Sequence, residues 1–153
     1  MIKTNLMKKS LVLIISFVIF SCSKNDDNQQ SQDLIGKWDL KSHITGTTND
    51  PLDYCEQLYS GYEFKTNGTC IDGYGRLNAN VCTNNQYNQT YTFVNNILSV
   101  KEINGFEARY NVIELSSTKL KLTQTYSKEI DNGTVYEHNL TASEQITSSY
   151  DRI

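Results

Sequence analysis

Scarcity narrows what this chain can be. It has one proline, one tryptophan and two histidines among 153 residues. His43 and His138 stand far apart and no Cys-x-x-Cys pair occurs, so the spacing of a tetrahedral metal site is missing. Lys and Arg form no cluster, which removes the footprint of a nucleic-acid binder. There is no GxSxG, no HExxH and no phosphate-cradling glycine loop. Strand histidines without a nearby nucleophile read as satisfied polar groups. The expectation is a protein that is not an enzyme and carries no cofactor or metal. Long apolar runs are also lacking. Leu11 to Phe20, broken only by Ser16, is about half of the ~20 residues that span a bilayer as a helix.

That short run does have a meaning. Lys8-Lys9 precede it and Ser21-Cys22 close it, the arrangement of a secretory signal peptide over residues 1–21. Ile19-Phe20-Ser21-Cys22 resembles the lipobox of bacterial lipoproteins. The resemblance implies cleavage before Cys22, a diacylated thiol and an acylated new amino terminus, palmitate being a typical chain. Each buried methylene of such chains contributes about 0.8 kcal/mol to anchoring. An ordinary signal peptide cut nearby would instead leave a free thiol. Ser23 to Gln32 holds no apolar residue and reads as a flexible tether, so residues 22–32 form the anchor and its spacer. Ser23-Lys24-Asn25-Asp26-Asp27 resembles the export signal of Bacteroidetes lipoproteins, which implies the outer face of the cell outer membrane. Without that meaning it is an acidic spacer. Removing Lys3, Lys8 and Lys9 with the signal leaves 11 basic against 17 acidic residues.

Residues 33–153 are enough for one domain with a core. Abundant Thr, Asn and Tyr suit strands and turns. The first strand runs from Leu34 to about Ile44, with Trp38 and Leu40 on one face and Gly36 leaving room for the indole or for a crossing backbone. Asp50-Pro51 reads as a helix start, with a turn or two through about Leu58. Asp50, Asp53 and Glu56 lie three apart. Capping and helix-end charge explain them better than calcium, which takes at least about six oxygens.

Tyr59–Lys65 and Thr69–Tyr74 form a hairpin around Thr66-Asn67-Gly68 that sets Phe64 opposite Cys70. Tyr62, Phe64 and Cys70 then share the inner face. Gly73 to Asn80 reads as a polar loop. Strands follow at about Tyr87–Phe93, Ile97–Ile103, Phe106–Leu115, Lys119–Tyr126 and Thr134–Thr141, and the tail to Ile153 reads as frayed or weakly paired. On the seventh, Leu120, Leu122, Gln124 and Tyr126 alternate onto one face. The fold class is all-β: an up-and-down antiparallel barrel of about eight strands with one short helix after the first.

The pieces Leu34-Ile35-Gly36-Lys37-Trp38, Asp53-Tyr54-Cys55-Glu56, Tyr62 through Thr69, Tyr91-Thr92-Phe93, Asn96 through Val100 and Ile113 through Leu122 resemble, in order and spacing, a lipocalin-like family common among Bacteroidetes lipoproteins. After Cys22, three cysteines permit one bridge and one leftover. The resemblance implies a lipocalin-like barrel and a bridge between Cys55 and Cys82. Cys70 departs from the family's pattern.

A barrel of this size holds its own side chains or one small ligand. The expected role is non-catalytic binding of a small hydrophobic or amphiphilic molecule by a monomer attached to the membrane through its lipid. Trp38, Tyr62, Phe64, Tyr91, Tyr110 and Tyr126 are the cavity candidates, each aromatic and the tyrosines each offering one hydrogen bond. The alternative is an envelope interaction module working through its outer surface or loops on a glycan or protein partner.

Overall fold

The computed structural model describes residues 32–153. The signal peptide, Cys22 and the tether up to Ser31 lie outside the described residues. Helical residues 32–34 lead into β1 (Gly36–Thr45), β2 (Thr48–Asp50) and a six-residue helix, α1 (Tyr54–Tyr59). After them come β3 (Gly61–Phe64), β4 (Thr69–Asn78), β5 (Val81–Val94) and β6 (Ile97–Glu102). The chain ends with β7 (Glu107–Leu115), β8 (Lys119–Asp131), β9 (Thr134–Asn139) and β10 (Ile146–Arg152). All are antiparallel neighbours in one sheet, in the order β10-β1-β3-β4-β5-β6-β7-β8-β9, with β2 attached to β1.

Period-two patterning sets the strands. On β3 and β4, Tyr62, Phe64 and Cys70 are buried, with Phe64 opposite Cys70 across the Gly68 turn. Leu98 and Val100 of β6, Ala108 of β7, and Leu120 and Leu122 of β8 join Leu34, Trp38 and Leu40 in one apolar cluster. Alternate residues on these strands face water, as a sheet with one packed face requires.

Four expectations need correction. The tail is β10, a strand with partners on both edges: Leu40 of β1 and Leu120 of β8 both stand opposite its Tyr150. Its sequence hides this because Tyr150 is the only buried residue in it, so the strand rests on two backbone ladders rather than on an apolar stripe. The strand expected to be eighth, β9, is exposed along its whole length and pairs only with β8.

Residues 73–80 are not a loop. β4 and β5 stay paired from Thr69 opposite Thr90 to Asn78 opposite Val81, turning at Ala79 and Asn80, both with positive φ. The glycines there serve a close approach. A Cβ on Gly75 would collide with the Cys55 carbonyl, so Gly75 lets α1 lie directly on the hairpin.

The helix starts at Asp53, not Asp50. Asp53 accepts from the Cys55 and Glu56 amides at 2.7 and 2.8 Å, and Glu56 returns a bond to the Asp53 amide at 2.8 Å. This reciprocal capping box uses the Asp-x-x-Glu spacing and is worth about 1 kcal/mol. Asp50 is in β2, where it accepts from the Thr45 hydroxyl at 2.7 Å. Asp50 is thus engaged apart from Asp53 and Glu56, which share the capping box.

A disulfide joins Cys55 of α1 to Cys82 of β5 and fixes the helix to the outer side of the β4–β5 hairpin. Cys70 is a buried free thiol. Among the described residues no helix is long and apolar enough to cross a membrane.

Candidate functional site at the polar end of the inner face

The inner face has two unlike ends. At one, Leu34 and Trp38 are fully buried, and the indole N–H donates to the Leu34 carbonyl at 2.8 Å. The Arg152 guanidinium sits 5.3 Å from the indole centroid and donates to the carbonyls of Asp33 and Ile35. Gly36 makes room for that guanidinium, since a Cβ would come within 2.9 Å of it; the sequence had suggested room for the indole or a crossing backbone. Phe64 packs here, edge-on to Tyr91 at 5.0 Å and stacked on Tyr62 at 5.2 Å. The Tyr91 hydroxyl is already engaged, donating to the Lys65 carbonyl at 2.9 Å.

Toward the other end the inner face turns polar. Tyr62 of β3 stands opposite Asp72 of β4, which stands opposite Tyr87 of β5. Directly opposite residues share a face, so Asp72 shares its face with two tyrosines, Tyr62 buried and Tyr87 44% exposed. The Tyr62 and Tyr110 hydroxyls are 3.3 Å apart, and the Tyr150 ring tilts against Tyr62 at 5.7 Å. One row over, the Gln89 amide donates to Glu102 at 3.2 Å while its carbonyl faces the Cys70 thiol at 3.8 Å. Asn104 also donates to Glu102, at 2.7 Å.

The electrostatics follow from this placement. Burial, and then repulsion from Glu102, push the Asp72 carboxyl up to about 7. Burial pushes the Cys70 thiol up to about 12, with Asp72 adding to it, so it has little thiolate character. Burial likewise raises Tyr62 well above its ordinary value, Tyr110 to about 12, and Tyr150 further. All three hydroxyls stay protonated and able to donate.

Of the six cavity candidates, Tyr62 and Tyr110 reach this polar end. Trp38, Phe64 and Tyr91 belong to the packed end. Tyr126 leaves the inner face altogether. Arg109 stands opposite Tyr126 but Tyr110 opposite Gln124, so Thr125 is an extra residue that reverses the alternation. Tyr126 therefore lies under the Arg109 guanidinium, 4.2 Å from the ring centroid, and donates to Glu137 at 3.0 Å. Glu107 completes that outer network, with Arg109 at 2.9 Å and Lys101 at 3.2 Å. Burial alone would raise the Glu107 carboxyl; the bonds from Arg109 and Lys101 outweigh it and hold it low.

Sequence reasoning passed over Asp72, Gln89 and Glu102. The available signal was register: extending the Phe64–Cys70 pairing by two residues puts Asp72 on the Tyr62 face. The histidines do not meet. His43 is paired in the ladders of β2 and β10, and His138 is exposed on β9. Among the described residues no group of three or more His, Cys, Asp or Glu is placed to hold a metal.

A depression of about 460 Å³ lies between β1, β2 and α1, lined by Leu40, Ser42, Asp50, Pro51, Leu52 and Gln57. Its one carboxyl is already bonded to Thr45, which leaves Asp72 as the more distinctive recognition group.

The comparisons with known proteins agree with this architecture. A crystal structure of a lipocalin-like protein from Bacteroides uniformis ATCC 8492 superposes with a TM-score of 0.51. It is 16% identical, and the match covers 79% of this chain and 99% of that one, which shows a shared fold. A comparison with curated proteins finds no match. The profile of the lipocalin-like domain matches residues 34–122, from the Leu34 that caps the packed end to the Leu122 buried on β8, and on that match the chain belongs to the lipocalin-like domain family.

Proposed function

We propose that residues 33–153 close into a barrel that binds a small amphiphilic molecule without chemistry, and that the chain is exported, acylated at Cys22 and held at the outer membrane by residues 22–32. The two-sided pairing of β10 supports closure: β1, β3 to β8 and β10 make a ring of eight, with β2 and β9 outside it. The observation that carries the binding role is Asp72. It is half-buried near Tyr62 and Tyr110, and no described residue donates a hydrogen bond to it. A carboxyl that keeps accessible oxygens among tyrosine hydroxyls is open to a group from outside. The ligand's polar head meets Asp72, Tyr62 and Tyr110, and its apolar part reaches toward the Phe64 and Trp38 floor.

A native mass spectrum of residues 23–153, secreted so that the disulfide forms, tests this. The expected result is a monomer carrying a non-covalent mass that is lost on denaturation. A bare protein that takes up nothing from an envelope lipid extract would refute the carrier role.

The interaction reading has one observation in its favour. Tyr54 and Leu58 on α1 and Leu77 and Val81 on the hairpin are all more than half exposed around the Cys55–Cys82 bridge. Such a bridge-stiffened apolar surface suits a protein partner.

A further inference from the structure

Three turns carry the same dipeptide: Asn67-Gly68, Asn104-Gly105 and Asn132-Gly133. Asparagine before glycine can react with its own backbone, because no Cβ hinders the following amide. The sequence makes the three turns alike, and the fold does not. At the first, the Gly68 N–H donates to the Lys65 carbonyl at 3.2 Å. The Asn67 side-chain oxygen accepts from the Thr69 amide at 3.1 Å and from its hydroxyl at 2.7 Å. At the second, the Gly105 N–H donates to the Glu102 carbonyl at 3.1 Å. The Asn104 side chain accepts from the Phe106 N–H at 3.0 Å and donates to the Glu102 carboxylate at 2.7 Å. In both turns the attacking nitrogen and the side chain it would attack are tied down.

At the third turn neither group is held. Among the described residues nothing bonds the Gly133 N–H or the Asn132 side chain. Both residues are exposed, and a Cβ added to Gly133 would meet nothing within 4 Å. The strand that follows, β9, is exposed along its whole length and pairs only with β8. Such a hairpin end opens at low free energy, which lets the side chain swing onto the backbone. We propose that Asn132 is a self-modification site, where the folded chain deamidates well before it does so at Asn67 or Asn104. Hydroxide removes the Gly133 N–H proton, and the nitrogen attacks the Asn132 side-chain carbonyl carbon. A C–N bond forms, and the side-chain nitrogen takes a proton from water and leaves as ammonia. The five-membered succinimide that remains is opened by water at either carbonyl, giving aspartate or isoaspartate. Either product sets a new carboxylate beside Asp131. Isoaspartate also lengthens the backbone by one carbon. A two-residue turn with positive φ at both Asn132 and Gly133 cannot absorb that, so β9 loosens from β8.

The test incubates folded residues 23–153, with the disulfide intact, in warm, mildly alkaline buffer and follows the three turns by peptide mapping and mass spectrometry. Conversion at Asn132 is expected to run at least about tenfold faster than at either other turn. The same chain reduced and unfolded in guanidinium chloride is the control. There the three turns should convert within about threefold of one another, since only the dipeptide is left to set the rate. Brief proteolysis of the aged folded protein should cut first within residues 132–139. Asn132→Gln, which would have to close a larger ring, should remove both the early product and the early cut. Comparable rates at the three turns of the folded chain, or a lead at Asn67 or Asn104, overturn the assignment. So does a folded chain that leaves Asn132 intact while the unfolded one converts. First cleavage elsewhere in the aged protein overturns the loosening of β9.

Discussion

The two ends of the inner face are built from the same strands but solve opposite problems. Around Trp38 every polar group has a partner: the indole N–H has Leu34, the Arg152 guanidinium has two carbonyls and the indole ring, and the Tyr91 hydroxyl has Lys65. Around Asp72 two carboxyls repel each other; Glu102 accepts from Gln89 and Asn104, while no described residue donates to Asp72. One end spends burial on stability and the other leaves it unspent. The contrast teaches where to look on a packed inner face: at the carboxyl that its own chain leaves without a donor.

The comparison is broken most directly at the packed end. Trp38→Ala removes the largest buried side chain and is expected to cost about 3–5 kcal/mol in urea unfolding. A loss below about 1 kcal/mol would mean that this end is not the floor of the fold. Replacing Cys55 and Cys82 by serine together opens a loop whose ends are 27 residues apart. The chain-entropy argument expects about 3–4 kcal/mol. Because α1 rests on the hairpin through Gly75 and the bridge, proteolysis should then cut first near residues 77–81, and cutting elsewhere would detach the bridge from that role.

The polar end should respond in the opposite direction. The folded chain keeps Asp72 protonated up to about pH 7, whereas the unfolded chain ionises it above about pH 4. Between those values the folded state holds the extra proton, so stability falls as pH rises through that window and stays lower above it. Cys70, Tyr62, Tyr110 and Tyr150 are all shifted upward and remain neutral throughout it. Asp72→Asn should therefore stabilise the protein at pH 8 by roughly 2–4 kcal/mol and change little at pH 3. Denaturation at the two pH values reads this, and no gain at pH 8 would place Asp72 in contact with water.

The smallest effect expected is outside both ends. Tyr126→Phe loses an exposed bond to Glu137 and should fall within about 0.5 kcal/mol of the parent. A loss above about 1.5 kcal/mol would return Tyr126 to the interior and count against the bulge at Thr125.

Reading the chain residue by residue reached the packed end more surely than the polar one. Trp38, Tyr62, Phe64 and Cys70 follow from period-two alternation and one short turn, which are local. Tyr126 was misplaced because a bulge inserts a residue without any marker in composition, and alternation then reports the wrong face. The β10 strand was missed because its sequence around Tyr150 is nearly all polar, and the Asp53 cap because Asp50-Pro51 offered a competing start.

What the sequence by itself determined is therefore the local part: an all-β chain, its main turns, the buried register of Phe64 and Cys70, and a family resemblance that carries the Cys55 and Cys82 pairing. Tertiary structure alone decided which strand completes the sheet, which face Tyr126 takes, and that Asp72 meets Tyr62, Tyr87 and the field of Glu102. Those outcomes depend on contacts between residues as much as 119 positions apart, as in the Arg152 side-chain bond to the Asp33 carbonyl. No window of alternating residues can hold contacts of that span. The chemistry of a side chain such as Asp72 belongs to its neighbours, and its neighbours are chosen only when the sheet forms.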